Sequence, residues 1–376
     1  DRSVSRGLGD VYKRQVRKKD MDTIIEKVDS HITGNEPNAA LDAATEILKK
    51  GGLVAIPTET VYGLAGDALN PDAARKIYEA KGRPSDNPLI VHIANEEDLK
   101  KIAKDIPEAA YKLMDVFWPG PMTMIFNKTE LVPSTTTGGL ETVAVRMPSH
   151  HVAYELIRRS GIMLAAPSAN TSGRPSPTDA AHVKEDLDGK IDMILDGGAC
   201  HYGIESTIID MTSDVPTILR PGYITRDMLE EVVGKVQVDP GLESTSLNIR
   251  PKAPGMKYTH YAPRGIMYIV EGSSANGIIR CINRMVKERQ AAGCKVGVLA
   301  TRRNASAYEA DEVIVIGDRE DELMISSNLY RALREFDARG VDYIYSESFE
   351  GDGLGDAIMN RLIKAAGHRV IQAPTI

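Results

Sequence analysis

Three cysteines in 376 residues, Cys200, Cys281 and Cys294, form no CxxC pair, so neither a disulfide framework nor a zinc ribbon is supported. Aromatic residues make up only 5%, which disfavours a surface built to stack nucleobases. There is no excess of positive charge either: 46 lysines and arginines against 53 aspartates and glutamates leave a net charge of −7, so any contact with RNA must be local. No apolar run approaches the roughly 18 residues of a membrane span, which predicts no transmembrane helix. The first 15 residues also lack the apolar stretch of a signal peptide, and a cytoplasmic protein is expected. Three sequence signatures are missing, GxxxxGK[ST], GxSxG and HExxH, which disfavours a P-loop ATPase, an α/β-hydrolase and a zincin. The Gly351, Gly353, Gly355 run before a helix has the wrong spacing for a dinucleotide loop and reads as a tight turn.

What is present is ordinary globular composition, 42% apolar and 26% charged, on a length sufficient for two to three domains. Residues 1–20 read as a disordered or non-native tail. From about residue 36 to 235, helix-period and strand-like segments alternate: Ala40–Lys50, Pro71–Lys81, His151–Arg159 and Thr178–Asp186 as helices, with strands between them. Strands outnumber helices, which predicts an α/β fold with a mixed sheet. Residues 236–264 are rich in proline and read as a linker ending in GMKYTHYAPR, and residues 265–376 repeat a strand–helix pattern expected of a smaller Rossmann-like domain.

Chemistry concentrates where strands end. PTETVYGL (Pro57–Leu64) follows an apolar strand and offers Thr58, Thr60 and Tyr62, though a turn satisfying its own backbone explains it equally well. Asn70 and Pro71 should start a helix that Gly82 ends, placing Lys81 and Arg83 at its C-terminus, with Asn87 and His92 following; this cluster suits a phosphate. In Thr142–Met147 the alternation sets Thr142, Ala144 and Arg146 on one face, and an arginine there needs either a structural carboxylate or that of a ligand. MLAAPSANTSGRPSPT (Met163–Thr178) opens a short strand into a hydroxyl-rich loop in which Ser176 or Thr178 could cap the next helix and make an anion site. GIESTIID and ILRPGYIT carry Ser206 and Arg220 at further strand ends. Together these residues describe a cleft for a phosphate-bearing ligand held by distributed side chains.

PTETVYGL, KxRP with NPLIVHI, the strand ending VRMP, APSAN with SGRPSPT, and IESTIID with RPG resemble the YrdC-like domain of threonylcarbamoyl-AMP synthases over roughly Ala39–Val233. The linker and the terminal domain resemble the two-domain form. The resemblance implies a twisted open sheet with a basic cleft, and a reaction joining L-threonine, bicarbonate or CO2, and ATP carried with Mg2+. By matching position, Thr60, His92, Arg146, Ala166 and Ser206 would take threonine. Lys81 and Arg83 would be catalytic, and Arg83, Asn87, Thr142, Ser168, Ser176, Arg220 and Tyr261 would bind ATP. Tyr261, with His260, would reach in from the linker as a lid. The resemblance also implies a downstream threonylcarbamoyl transferase acting on tRNA; weak direct tRNA contact is compatible with it, no protein metal ligands are expected, and a monomer is the default expectation. Competing readings are a carbamoyl transferase of hydrogenase maturation, which would need zinc-finger cysteines absent here, and a non-catalytic double-stranded RNA- or tRNA-binding protein.

Overall fold

A computed structural model describes residues 22–34, 37–242, 253, 260–349 and 353–374. The expected tail at 1–20 and most of the expected linker lie outside the described residues. The larger sheet has twelve strands and is mixed, as the strand excess predicts. From one edge it runs Ile24–Lys27, Met193–Asp196, Val54–Ile56, Gly63–Asp67, Leu164–Ala165, Ile90–His92, Thr142–Arg146, Met122–Lys128, Thr207–Asp210, Thr217–Arg220 and Gln237–Val238, with Ala103–Lys104 beside Met122–Lys128. Parallel and antiparallel pairings alternate across its middle: Ile90–His92 is parallel to Thr142–Arg146, which is antiparallel to Met122–Lys128.

The smaller sheet is wholly parallel, in the order Glu312–Gly317, Val296–Thr301, Tyr343–Glu347, Ile266–Glu271, Val370–Gln372. Helices Ala275–Ala291, Glu322–Ala338 and Leu354–Ala365 connect these strands, an α/β arrangement of the Rossmann kind. Gly353, at φ +84°, immediately precedes the last helix, where the glycine run reads as a turn; Gly351 lies outside the described residues.

Local signals explain the elements around the cleft. Helix Pro71–Lys81 begins where Asn70 accepts the Asp72 N–H and ends at Gly82, whose φ of +61° suits glycine. Its inner face buries Ala74, Ile77, Tyr78 and Lys81, as the spacing predicts. The start of the expected linker is instead part of the sheet: Gln237–Val238 pairs in parallel with Thr217–Ile218 before a turn at Pro240–Leu242. Strand Gly63–Asp67, which begins within PTETVYGL and is not among the expected strands, pairs antiparallel with Val54–Ile56, so the turn in PTETVYGL is the tip of a hairpin. The helix after the APSAN loop spans Ala180–Leu187 and is capped by Asp179, which accepts the His182 N–H. Neither Ser176 nor Thr178 caps it, and a carboxylate at that N-terminus already complements the helix dipole, which removes the anion site expected there.

The two faces of the large sheet differ. Val91, Val143, Val145, Met122 and Met124 pack into the main core with Leu113, Phe117 and Ile77. The opposite face carries a small apolar floor of Ile90, Ile125, Ala144, Ile208 and Leu219. Ala253, the described residue of the linker's middle, is fully buried on that floor.

Candidate active site

Strand register assembles the site. His92 pairs with Arg146, and Arg146 with Thr123, so three polar side chains from three adjacent strands form one row above the apolar floor. Thr123 Oγ1 meets Ser206 Oγ at 2.8 Å, which extends the row to the next strand. Behind it, the hairpin tip and the APSAN loop are laced together: Leu64 N donates to Pro167 O at 2.7 Å, Tyr62 N to Pro177 O at 2.9 Å and Ala169 N to Tyr62 O at 2.8 Å. The chains run close at Gly63, where a Cβ would lie 3.3 Å from the Ala166 Cβ.

The result is one cavity lined by Thr58, Thr60, Arg83, His92, Arg146, Ala166, Ser168, Glu205, Ser206, Arg220, His260 and Tyr261. All five residues expected to take threonine are therefore together. Of the expected nucleotide set, Arg83, Ser168, Arg220 and Tyr261 line the same cavity, whereas Asn87, Thr142 and Ser176, and Lys81 of the expected catalytic pair, are not among its lining residues.

Arg146 is the electrostatic centre of one half. Its Nη2 donates to Glu59 Oε1 at 2.5 Å, its Nη1 to Thr60 Oγ1 at 2.9 Å and its Nε to Gly120 O at 3.2 Å, with both ion-pair partners buried. The structural carboxylate left open by the strand pattern is thus Glu59. Burial would raise the Glu59 carboxyl, but the Arg146 charge and hydrogen bond outweigh it and hold it below the ordinary carboxylate value. His92 lies beside Arg146, and burial, reinforced by that positive charge, pushes it down to about 3. A neutral imidazole whose Nδ1 sits 3.1 Å from Ile90 O carries its proton there, which leaves Nε2 with a lone pair.

In the other half, Arg220 donates from Nε to Ser206 O at 3.0 Å and from Nη2 to Ser206 Oγ at 3.1 Å. Arg83 holds its own loop, donating to Asn87 O at 3.2 Å and Pro88 O at 3.0 Å. Lys81 is spent differently from the helix-end role its position allows: Nζ donates to Ser168 O and, at 2.6 Å, to Asn170 O. Burial drives its ammonium well below the ordinary lysine value. Lys81 thereby clamps the APSAN loop to the preceding helix. Asn87 is buried, and among the described residues neither its Nδ2 nor its Oδ1 meets a hydrogen-bond partner; such a carboxamide is costly unless a ligand pairs it. Thr142 is half-buried at the start of its strand, and Ser176 Oγ donates to Glu205 Oε1 at 2.5 Å.

Glu59 and Glu205 are the residues that sequence reasoning missed. Both sit in recognised segments, one residue before Thr60 and Ser206, but acidic side chains at a basic cleft drew no role. The arginines facing them were the available signal. Among the described residues no group of three or more His, Cys, Asp or Glu side chains could hold a metal ion, and no helix is long and apolar enough to cross a membrane.

Comparison with known proteins agrees with this geometry. The Sua5/YciO/YrdC family described as "Telomere recombination" matches residues 46–222, and the family described as "Threonylcarbamoyl-AMP synthase, C-terminal domain" matches residues 224–367. The threonylcarbamoyl-AMP synthase of Bacillus subtilis is 50% identical over 346 residues, 92% of this chain and 97% of that protein. That of Schizosaccharomyces pombe is 39% identical, covering 89% and 90%. The crystal structure of Pyrococcus abyssi Sua5 complexed with L-threonine superposes with a TM-score of 0.87 at 47% identity, covering 93% of this chain and 99% of that one. With both of its halves matched and near-complete coverage of these relatives, the chain belongs to the threonylcarbamoyl-AMP synthases, enzymes of the two-domain form.

Proposed function

We propose that the cavity holds L-threonine and ATP side by side, with each half serving one substrate. Threonine's carboxylate pairs with Arg146, its amine and hydroxyl lie among Thr60, His92 Nε2, Ser206 and the Ala166 backbone, and the triphosphate runs past Arg83, Ser168 and Arg220 under Tyr261. Asn87, Thr142 and Ser176 complete the nucleotide side, and Lys81 acts by holding Ser168 and Asn170 in place. Mg2+ arrives with the phosphates and offsets their charge, since both acidic side chains of the cavity are already engaged, Glu59 by Arg146 and Glu205 by Ser176.

The chemistry follows from this arrangement. Threonine's neutral amine adds to CO2, giving an N-carboxylate and one proton, or condenses with bicarbonate, giving the same N-carboxylate and one water. One oxygen of that carbamate then attacks the α-phosphorus, and the bond to the bridging oxygen breaks as diphosphate leaves. No side-chain nucleophile is required: orientation of two bound reactants can contribute about 7–11 kcal/mol, and fixed cationic donors stabilise the charge on the phosphates. His92, kept neutral by burial and by the Arg146 charge, adds no further positive charge to the threonine side.

The supporting observation is the His92–Arg146–Thr123 register row, which aims a guanidinium and a neutral imidazole at one volume. The product would pass to a threonylcarbamoyl transferase that modifies tRNA, with the chain acting as a cytoplasmic monomer whose own tRNA contact is weak. The test is diphosphate release from MgATP with and without L-threonine and bicarbonate, with L-serine as control. Release dependent on both is expected; release indifferent to threonine would refute the assignment.

A further inference from the structure

The wall beside Ser206 is closed by the second domain. Glu205 lines the cavity, and its carboxylate receives Tyr330 OH at 2.9 Å and Arg361 Nε at 3.0 Å in addition to Ser176. Tyr330 lies on helix Glu322–Ala338 and Arg361 on helix Leu354–Ala365, and both side chains are fully buried. The same guanidinium donates from Nη2 to Glu205 O at 3.3 Å and from Nη1 to Pro221 O at 2.7 Å. One arginine of the second domain therefore ties together the two segments that carry Ser206 and Arg220. Tyr261 is gripped from the same side: its ring stacks on Tyr330 at 5.2 Å between centroids, and the Arg361 guanidinium lies 5.9 Å from it. Its backbone sits at φ +66°, a conformation a tyrosine keeps only where its surroundings over-determine it.

Buried ion pairs are poor sources of net stability, and an apolar contact would serve adhesion as well or better. What a guanidinium with four fixed acceptors, Asn360 Oδ1 at 3.2 Å being the fourth, supplies is position. We propose that Arg361 and Tyr330 are positioning residues of the reaction, through which the second domain sets Glu205, Arg220 and Tyr261 for the nucleotide. This rests on the assignment of Arg220 and Tyr261 to ATP.

The experiment uses the full chain with Arg361→Met, Tyr330→Phe and, as a control on that assignment, Arg220→Met. Diphosphate release is titrated with ATP, and threonine affinity is measured separately by calorimetry without nucleotide. The expected result for Arg361→Met is an ATP KM raised about tenfold or more, with a clearly smaller loss of threonine affinity through the Ser206 segment. Tyr330→Phe removes a single hydroxyl, so it tests the idea even where Arg361→Met fails to fold; a smaller rise in ATP KM is expected. An unchanged ATP KM, or equal loss of ATP and threonine affinity, would overturn the positioning role. If Arg220→Met leaves the ATP KM unchanged, the nucleotide assignment itself falls, which separates the two failures.

Discussion

Replacing Arg146 by methionine separates binding from stability. The Arg146–Glu59 pair is almost completely buried, with side-chain exposures of 5% and 7%. Removing one partner of such a pair leaves an uncompensated buried charge and costs about 3–5 kcal/mol, a sizeable part of the 5–15 kcal/mol or so that an ordinary domain has. Loss of one charge-assisted hydrogen bond to threonine's carboxylate costs about 1.5–3 kcal/mol, a KM increase of about 10- to 100-fold. Adding Glu59→Gln removes the orphaned charge, so the double variant should recover most of the stability but none of the threonine affinity. The pH dependence gives a further check. In the wild type Glu59 is held below its ordinary value, so its contribution is present above about pH 4.5 and is lost as pH falls through its folded-state pKa. Without Arg146, burial is the largest remaining influence and outweighs the backbone hydrogen bonds that still favour the carboxylate, so the Arg146→Met variant should regain relative stability on acidification. Urea unfolding between pH 4 and 8 and diphosphate release against threonine measure both effects. An unchanged threonine KM, or a double variant that recovers affinity together with stability, would refute the reasoning.

Other expectations follow from single contacts. Burial pushes both His92 and His260 down to about 3, so between pH 6.5 and that value the unfolded chain binds protons the folded chain refuses. Stability should fall on acidification from pH 6.5 by up to about 1.4 kcal/mol per pH unit for each histidine, and His260→Gln should flatten the urea-midpoint profile between pH 7 and 5. A Cβ on Gly203, at φ +70°, would lie 2.4 Å from Ser327 Cα, so Gly203→Ala should destabilise the contact between domains by about 1–3 kcal/mol in thermal unfolding; an unaltered melting curve would contradict the close approach. Lys81→Met removes the donor that holds Ser168 O and Asn170 O, so diphosphate release should drop about tenfold or more with the fold retained by circular dichroism. Wild-type turnover would show the loop is held without it.

Much of the site was legible because its chemistry is local in the chain. Helix Pro71–Lys81 carries its own start and stop signals in Asn70 and Gly82, and the alternation of Thr142–Met147 already put Arg146 on the face opposite Val143 and Val145. The short hairpin strand Gly63–Asp67 was hidden by its Gly and Ala content, which is weakly strand-forming until the sheet buries it. The cap is Asp179, one residue beyond Thr178 and three beyond Ser176, because several oxygens in that loop are able to accept an N–H.

The sequence by itself determined the α/β class, the membership of segments in a ligand cleft, and the basic and hydroxyl-bearing residues that approach it, since periodicity, caps and motifs are read within about a dozen residues. Only the tertiary structure decided which carboxylates answer those cations. Glu59 meets Arg146 across 87 positions, and Glu205 meets Arg361 across 156. Such pairings arise from strand order and domain docking, and no local pattern encodes them. The same holds for Lys81, whose sequence position offers its helix's end, while packing directs its ammonium to the Ser168 and Asn170 carbonyls because a buried charge takes the acceptors the fold brings within reach.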